Sequence, residues 1–366
     1  GSTVVPVTTA PTRPRHQVAD AHRADVDAAL DILLGSPLEP IVDVVLTARD
    51  GYYEALAHDG TVTFRRTETG EIEVVATEGR NPIGDQATDR FSPLAAEVAH
   101  KHPHRRDNTY PHAYEQTAQL FDSPAAPDLC VIHSASHNWA DQGGHLGEHG
   151  SIGVIQTRAP LVIAGKGVRR DGLVPRAARL IDIAPTMAAL LGCAPRPDGT
   201  FAAGQDGAVL TDVIDESERP RHLVGFLFDG TNANVMYDMA ARGELPNVAR
   251  LIASGTAFAH GAMASLPTVT LANHTSVLTG THPGHHGILH NAWYDRARRE
   301  QIITNSSASW ARSMEHLAPG IETVHDAVHR TWSDAFTASV NEPCDKGADY
   351  STFDFFRRGG EAPPIP

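Results

Sequence analysis

Apolar positions along this chain change their period several times, and each change marks an element. Over residues 21–34 they recur at helical spacing and stop at Gly35-Ser36-Pro37, which predicts one helix. Residues 41–46, 52–57 and 61–65 are short β-rich runs parted by Asp50-Gly51 and Asp59-Gly60, dipeptides that favour tight hairpin turns. They predict a small antiparallel excursion within residues 40–75. Two further apolar runs, 128–134 and 159–164, read as buried strands, the second ending at Gly165, and residues 183–191 read as a helix. Residues 222–228 are nearly all apolar, as in a strand buried on both faces, and lead into Asp229-Gly230. Helical periods return at 235–241, at 246–254 before Gly255, at 270–278 before Thr279-Gly280, and at 324–330, with a strand expected over 335–340.

Strands alternating with helices predict an α/β fold, with a mixed but mostly parallel sheet between helices. Sites in such folds lie at the carboxyl ends of strands, where Asp229 is placed. Taken alone, an Asp there is more often a turn former than a ligand. The chain then divides into four parts. Residues 1–17 are rich in Pro, Thr and Arg without periodicity and predict a disordered tail. Residues 18–194 and 221–366 form two alternating segments, and the Gly-, Asp- and Pro-rich stretch 195–220 is the expected linker.

Charge and composition narrow the function. Lys and Arg number 30 against 44 Asp and Glu, a net charge of −14, so no nucleic-acid groove is expected. No apolar run reaches membrane-spanning length. Three scattered cysteines, Cys130, Cys193 and Cys344, read as reduced thiols and favour a cytoplasmic location, although the Gly-Ser opening leaves room for a leader already removed.

The richest stretch runs Leu266-Pro267-Thr268-Val269-Thr270-Leu271-Ala272-Asn273-His274 and on to Thr279-Gly280, followed by His282-Pro283-Gly284, His286-Gly287-Ile288 and Asn291. It resembles the signature of the type I phosphodiesterase/nucleotide pyrophosphatase branch of the alkaline phosphatase superfamily, Pro-Thr-x-Thr-x-x-Asn-His and its sequel. Asp229-Gly230 and the helix starting at Pro246-Asn247-Val248 match the opening block of that family. The chemistry fits these positions. A threonine hydroxyl is a weak nucleophile unless a cation lowers its pKa. At the first position of a helix, Thr270 also sits where free N–H groups and the helix dipole attract a phosphoryl group. Thr268 is a rival nucleophile, but its spacing to Asn273-His274 is wrong. Read blandly, Thr270 is a helix cap, Asn291 a turn residue, and His274, His286 and His290 structural.

The resemblance implies roles. Thr270 is the nucleophile and a metal ligand, Asp229 is a ligand of the same metal, and Asn291 binds the phosphate through its side-chain amide. Gly144-His145-Leu146-Gly147-Glu148-His149-Gly150-Ser151, with Arg158-Ala159-Pro160 and Asp182-Ile183-Ala184-Pro185-Thr186, looks like the carboxyl-terminal block of the same superfamily. It makes His149 a ligand of the second metal. Two divalent ions are implied, zinc foremost, with manganese or iron as alternatives. Here the His149 block comes before the Thr270 block, the reverse of the usual order, which implies a circular permutation. The family's Asp-x-x-x-His and Asp-His-Gly ligands have no clear counterpart, and Ser136-His137-Asn138 stands where the latter would fall. Either these ligands lie beyond Pro366 in a longer native chain, or Asp141 with His145 replaces the first pair. The implied activity is metal-dependent hydrolysis of a small-molecule phosphate ester, a diester foremost, through a phosphothreonine. A monoesterase, a phosphonate hydrolase and a non-catalytic protein with a decayed site are the alternatives.

Overall fold

The computed structural model describes residues 11–99, 108–137, 149–306 and 309–360. They fall into two compact units. The N-terminal unit runs to Thr157 and includes Leu266–Thr268; the C-terminal unit comprises Arg158–Ser265 and the residues from Val269 onward. This division lies elsewhere than at the expected 195–220 linker.

The N-terminal unit contains α1 (Arg23–Leu34), β1 (Val42–Arg49), β2 (Tyr52–Ala57), β3 (Gly60–Arg66), β4 (Ile72–Gly79), α2 (Leu94–Ala99), α3 (Ala113–Phe121), β5 (Cys130–His133) and α4 (Val154–Thr157). Its strands form one antiparallel sheet in the order β4-β3-β2-β1-β5. The excursion therefore extends to Gly79 and recruits β5. Asp50 and Gly51 both have positive φ, 53° and 84°, as a two-residue hairpin twisted with its strands requires. Central β1 is buried along nearly its whole length. Val42, Val45 and Leu56 pack with Val18, Val26 and Leu30 of the α1 side. Within the unit, the Asp122 carboxylate accepts from the Tyr53 hydroxyl and the buried Arg66 guanidinium, so its charge is paired. The described end of the expected tail is held down. Backbone N–H groups of Arg15 and His16 donate to Phe121 O at 3.0 and 3.1 Å, and His16 Nε2 lies 2.7 Å from Asp128 Oδ1. Residues 1–10 lie outside the described residues.

In the C-terminal unit the elements are β6 (Arg158–Ala159), β7 (Val162–Ala164), β8 (Gly172–Val174), β9 (Ala178–Arg179), α5 (Ile183–Leu191), α6 (Ala233–Ala241), α7 (Pro246–Ser254), β10 (Gly255–Phe258), β11 (Ala262–Met263), α8 (Thr270–Thr279), α9 (Pro283–His286), β12 (Ala292–Asp295), β13 (Glu300–Ile303), α10 (Val324–Thr331), β14 (Ala338–Ser339), β15 (Tyr350–Ser351) and α11 (Asp354–Arg357). β10 lies between β7 and β8, and β11 between β6 and β9. In each trio the late strand is antiparallel to one early strand and parallel to the other. The protein is thus mixed α/β with several small sheets.

Two expectations need correction. The apolar run 222–228 joins no described ladder, and Val224, Phe226 and Phe228 are 74%, 79% and 71% exposed. Apolar content fixes a segment's need for burial, whereas a strand also needs neighbours to take its N–H and C=O groups. Stretch 195–220 is packed rather than a loose connector. Val213 and Ala202 are buried, Asp206 and Gly207 N–H groups donate to Gly280 O, and a Cβ on Gly207 would meet Ile181 O at 1.9 Å. Gly207 thus serves close backbone approach, a use that composition alone does not separate from flexibility.

Candidate active site

Helix α8 begins at Thr270 after an extended Val269, and no side chain caps it. Its first-turn N–H groups are thus not claimed by a capping side chain, the arrangement that favours an anion. The hydroxyl Oγ1 of Thr270 donates to Asp229 Oδ2 at 3.2 Å, and this contact is exposed. The structure therefore brings together two of the four residues singled out from sequence. The chain arrives at Thr270 along a segment fixed by Asn273. The side-chain oxygen of Asn273 accepts from Ser265 N–H at 2.7 Å, and its amide donates to the carbonyls of Ser265 at 3.0 Å and Val269 at 3.2 Å. Asn273 belongs to the motif, but a buried amide that satisfies backbone on both sides of a turn is not visible in spacing.

Behind the exposed corner, α8 is anchored by histidines. His286 is fully buried, with Nε2 3.0 Å from Ala272 O and 3.2 Å from Ser276 Oγ, and burial pushes its pKa down to about 3. It is a neutral structural group. His285 Nδ1 lies 2.8 Å from Asp206 Oδ2, and the same carboxylate accepts from His282 N–H. Asp206 came from the stretch read as linker, so nothing in its local pattern pointed here. His274, one turn after Thr270, pairs with Glu342 at 2.8 Å. Burial opposes its charge, but Glu342 and the nearby Asp229 outweigh burial and raise its pKa.

His149 belongs to the N-terminal unit. Its Nδ1 lies 2.9 Å from Thr268 O. Thr268 itself is 7% exposed, and its hydroxyl accepts from Gly150 N–H at 2.8 Å and donates to Ser151 O at 3.0 Å. Its donor and one of its two acceptor sites are taken, which together with its burial counts against Thr268 as a nucleophile. The Asn291 side chain makes no hydrogen bond to Thr270 or Asp229; its buried Oδ1 has no partner among the described residues, while its backbone O accepts from Thr304 N–H and Oγ1. Asp141, His145 and Asn138 lie outside the described residues, and His137 Nδ1 is 2.6 Å from Ser134 Oγ.

Among the described residues no group of three or more His, Cys, Asp and Glu side chains is arranged to hold a metal. In the C-terminal unit Asp229 and Thr270 offer adjacent hard oxygens, and in the N-terminal unit a carbonyl on Nδ1 leaves the lone pair of neutral His149 on Nε2.

The sequence profile of the type I phosphodiesterase/nucleotide pyrophosphatase family matches residues 223–355, which contain Asp229, Thr270 and Asn291. Over these residues the chain is similar to that family. Curated relatives that the chain partly matches are named for both ester classes. One is the alkaline phosphatase PafA of Elizabethkingia meningoseptica, 29% identical over 104 residues, covering 28% of this chain and 18% of the relative. Another is an uncharacterized pyrophosphatase/phosphodiesterase of Schizosaccharomyces pombe, 28% identical over 128 residues, covering 30% of this chain and 25% of the relative. The matches thus span a quarter or less of these relatives. No solved structure matches. Among the described residues no helix is long and apolar enough to cross a membrane.

Proposed function

We propose that the chain hydrolyses small-molecule phosphate esters with Thr270 as nucleophile. The observation that carries this reading is the Thr270 hydroxyl on Asp229 at the uncapped start of α8, inside the matched family segment. In this reading Asp229 and Thr270 hold one divalent ion and His149 holds another. The bound ions supply Lewis acidity and lower the pKa of the oxygen nucleophile. The chain's own residues do the rest. Asp229 holds the Thr270 hydroxyl, the N–H groups opening α8 receive the phosphoryl oxygens, and Asn291 contributes its side-chain amide to the same group. The Thr270 Oγ–P bond forms as the ester P–O bond breaks, and water then cleaves the phosphothreonine.

Imidazole together with hard oxygen donors supports zinc, and three cysteines without disulfides support a reducing, cytoplasmic setting. The late strands β10 and β11 inserted between early ones support a permuted family core, with the mostly parallel sheet of the alkaline phosphatase fold as its full form. Two substrate readings have support. The matched family favours a diester, and the PafA relative favours a monoester. The test is turnover of bis(p-nitrophenyl) phosphate against p-nitrophenyl phosphate with zinc supplied, followed by acid quench and peptide mass spectrometry. Phosphate on the Thr270 peptide with diester preference is expected. Turnover with no phosphate on that peptide would sink the nucleophile assignment.

A further inference from the structure

Thr268 contacts three consecutive residues of the His149 block. Its carbonyl meets His149, and its hydroxyl meets Gly150 and Ser151. A carbonyl oxygen only accepts, so the 2.9 Å contact requires the proton on Nδ1 of His149, and the lone pair then resides on Nε2. A tautomer set by a carbonyl on the far nitrogen is how proteins prepare an imidazole for a metal. The turn that follows depends on the same residue. Gly150 has φ +125°, a backbone conformation that side chains rarely adopt, so this turn has little of its own to hold it. Its N–H is received by the Thr268 hydroxyl. On the other side, Ser151 N–H donates to Gln156 Oε1 at 3.0 Å.

Thr268 is itself firmly seated. Leu266 N–H donates to Gln116 Oε1 at 2.7 Å, and Leu266 O accepts from Gln119 Nε2 at 2.6 Å, both on α3. All of these groups lie in the N-terminal unit. We infer that Thr268 is the positioning residue that orients His149 as a metal ligand, holding it in the Nδ1–H tautomer through the carbonyl and fixing the His149-Gly150-Ser151 turn through the hydroxyl. This rests on the reading of His149 as a ligand. It gives the first Thr of Pro-Thr-x-Thr a task separate from that of the second.

The test uses full-length chain with 15N-labelled histidine. Long-range 1H–15N spectra of the metal-free protein report the tautomer of each imidazole, and the signals lost in His149→Gln identify His149. Zinc affinity is measured separately by competition with a chelating dye. Wild type should show Nδ1–H at His149 and a shifted Nε2 signal on adding zinc. Thr268→Val, close in shape but without the hydroxyl, keeps the carbonyl and so should keep the Nδ1–H tautomer, while the loosened turn weakens zinc binding about 10-fold. Thr268→Ser should restore the affinity, and it keeps the test open if the valine variant does not fold. Mixed tautomers already in wild type, or a valine variant with wild-type zinc affinity, would overturn the positioning role. A clean Nδ1–H tautomer whose Nε2 signal ignores zinc overturns the ligand reading instead.

Discussion

The two corners proposed to hold metal are built in opposite ways. Thr270 and Asp229 meet through one exposed hydrogen bond, and Asp229 follows an apolar run that no described strand pairs. His149 is tied by its own ring nitrogen and, through Gly150 and Ser151, by a buried hydroxyl that both donates and accepts. The difference matches the proposed tasks. A nucleophile has to keep its oxygen accessible, which the exposed Thr270 contact allows and the buried Thr268 hydroxyl does not. A ligand gains from having its tautomer and orientation fixed before the ion arrives, since ordering it later costs affinity.

The largest effect that separates the corners is on turnover. Thr270→Ala should lower diester hydrolysis at least about 1,000-fold and weaken the ion it is proposed to share with Asp229, while leaving zinc binding at His149 unchanged. Rate assays with dye-competition titrations check both halves. Loss of the His149 zinc in Thr270→Ala as in Thr268→Val would erase the distinction drawn between the corners.

Much of this was legible in sequence, for a physical reason. Helices α5 and α7 span the residues expected, and α8 begins at the expected Thr270 and ends at Gly280 in the left-handed conformation, because caps and breakers are local. The Thr270 motif was legible because its chemistry needs residues close in sequence. Longer-range facts were not. Asp206 reaches His282 and His285 from 76 and 79 residues away, and Glu342 reaches His274 from 68. No period encodes such distances. The exposed 222–228 run marks the same limit, since a ladder belongs to two segments at once.

A second measurement sharpens how rigid the backing of α8 is. His286 has its pKa lowered from 6.5 to about 3, so the unfolded chain binds its proton first as pH falls. Stability from this group is complete above the unfolded value and is lost as pH drops from 6.5 towards 3. At pH 4.5 the loss should be about 3 kcal/mol, read by urea unfolding at each pH. His286→Gln should flatten this slope. An equally steep slope in that variant would assign the acid sensitivity to other groups.

Asn273→Ala should follow at about 1–3 kcal/mol, because it strands the buried Ser265 N–H and removes the amide bonds to the Ser265 and Val269 carbonyls. Turnover should fall with zinc binding at His149 retained, since the clamp aims Thr270 rather than His149. Retained turnover would show that the start of α8 is set by something other than this amide.

The smallest effect tests the loose side of the comparison. Phe226 is 79% exposed, and its main described ring contact is with Phe228 at 6.4 Å between centroids. Phe226→Ser should then change unfolding stability by less than about 0.5 kcal/mol, as exposed positions do. Binding of a dye that reports exposed apolar surface should fall at the same time, because this run is among the largest apolar stretches left in water. A cost of several kcal/mol would mean that in solution the run is buried against another surface. Asp229 would then be held as firmly as His149, and the contrast between an open nucleophile corner and a preset ligand corner would rest on Thr270 alone.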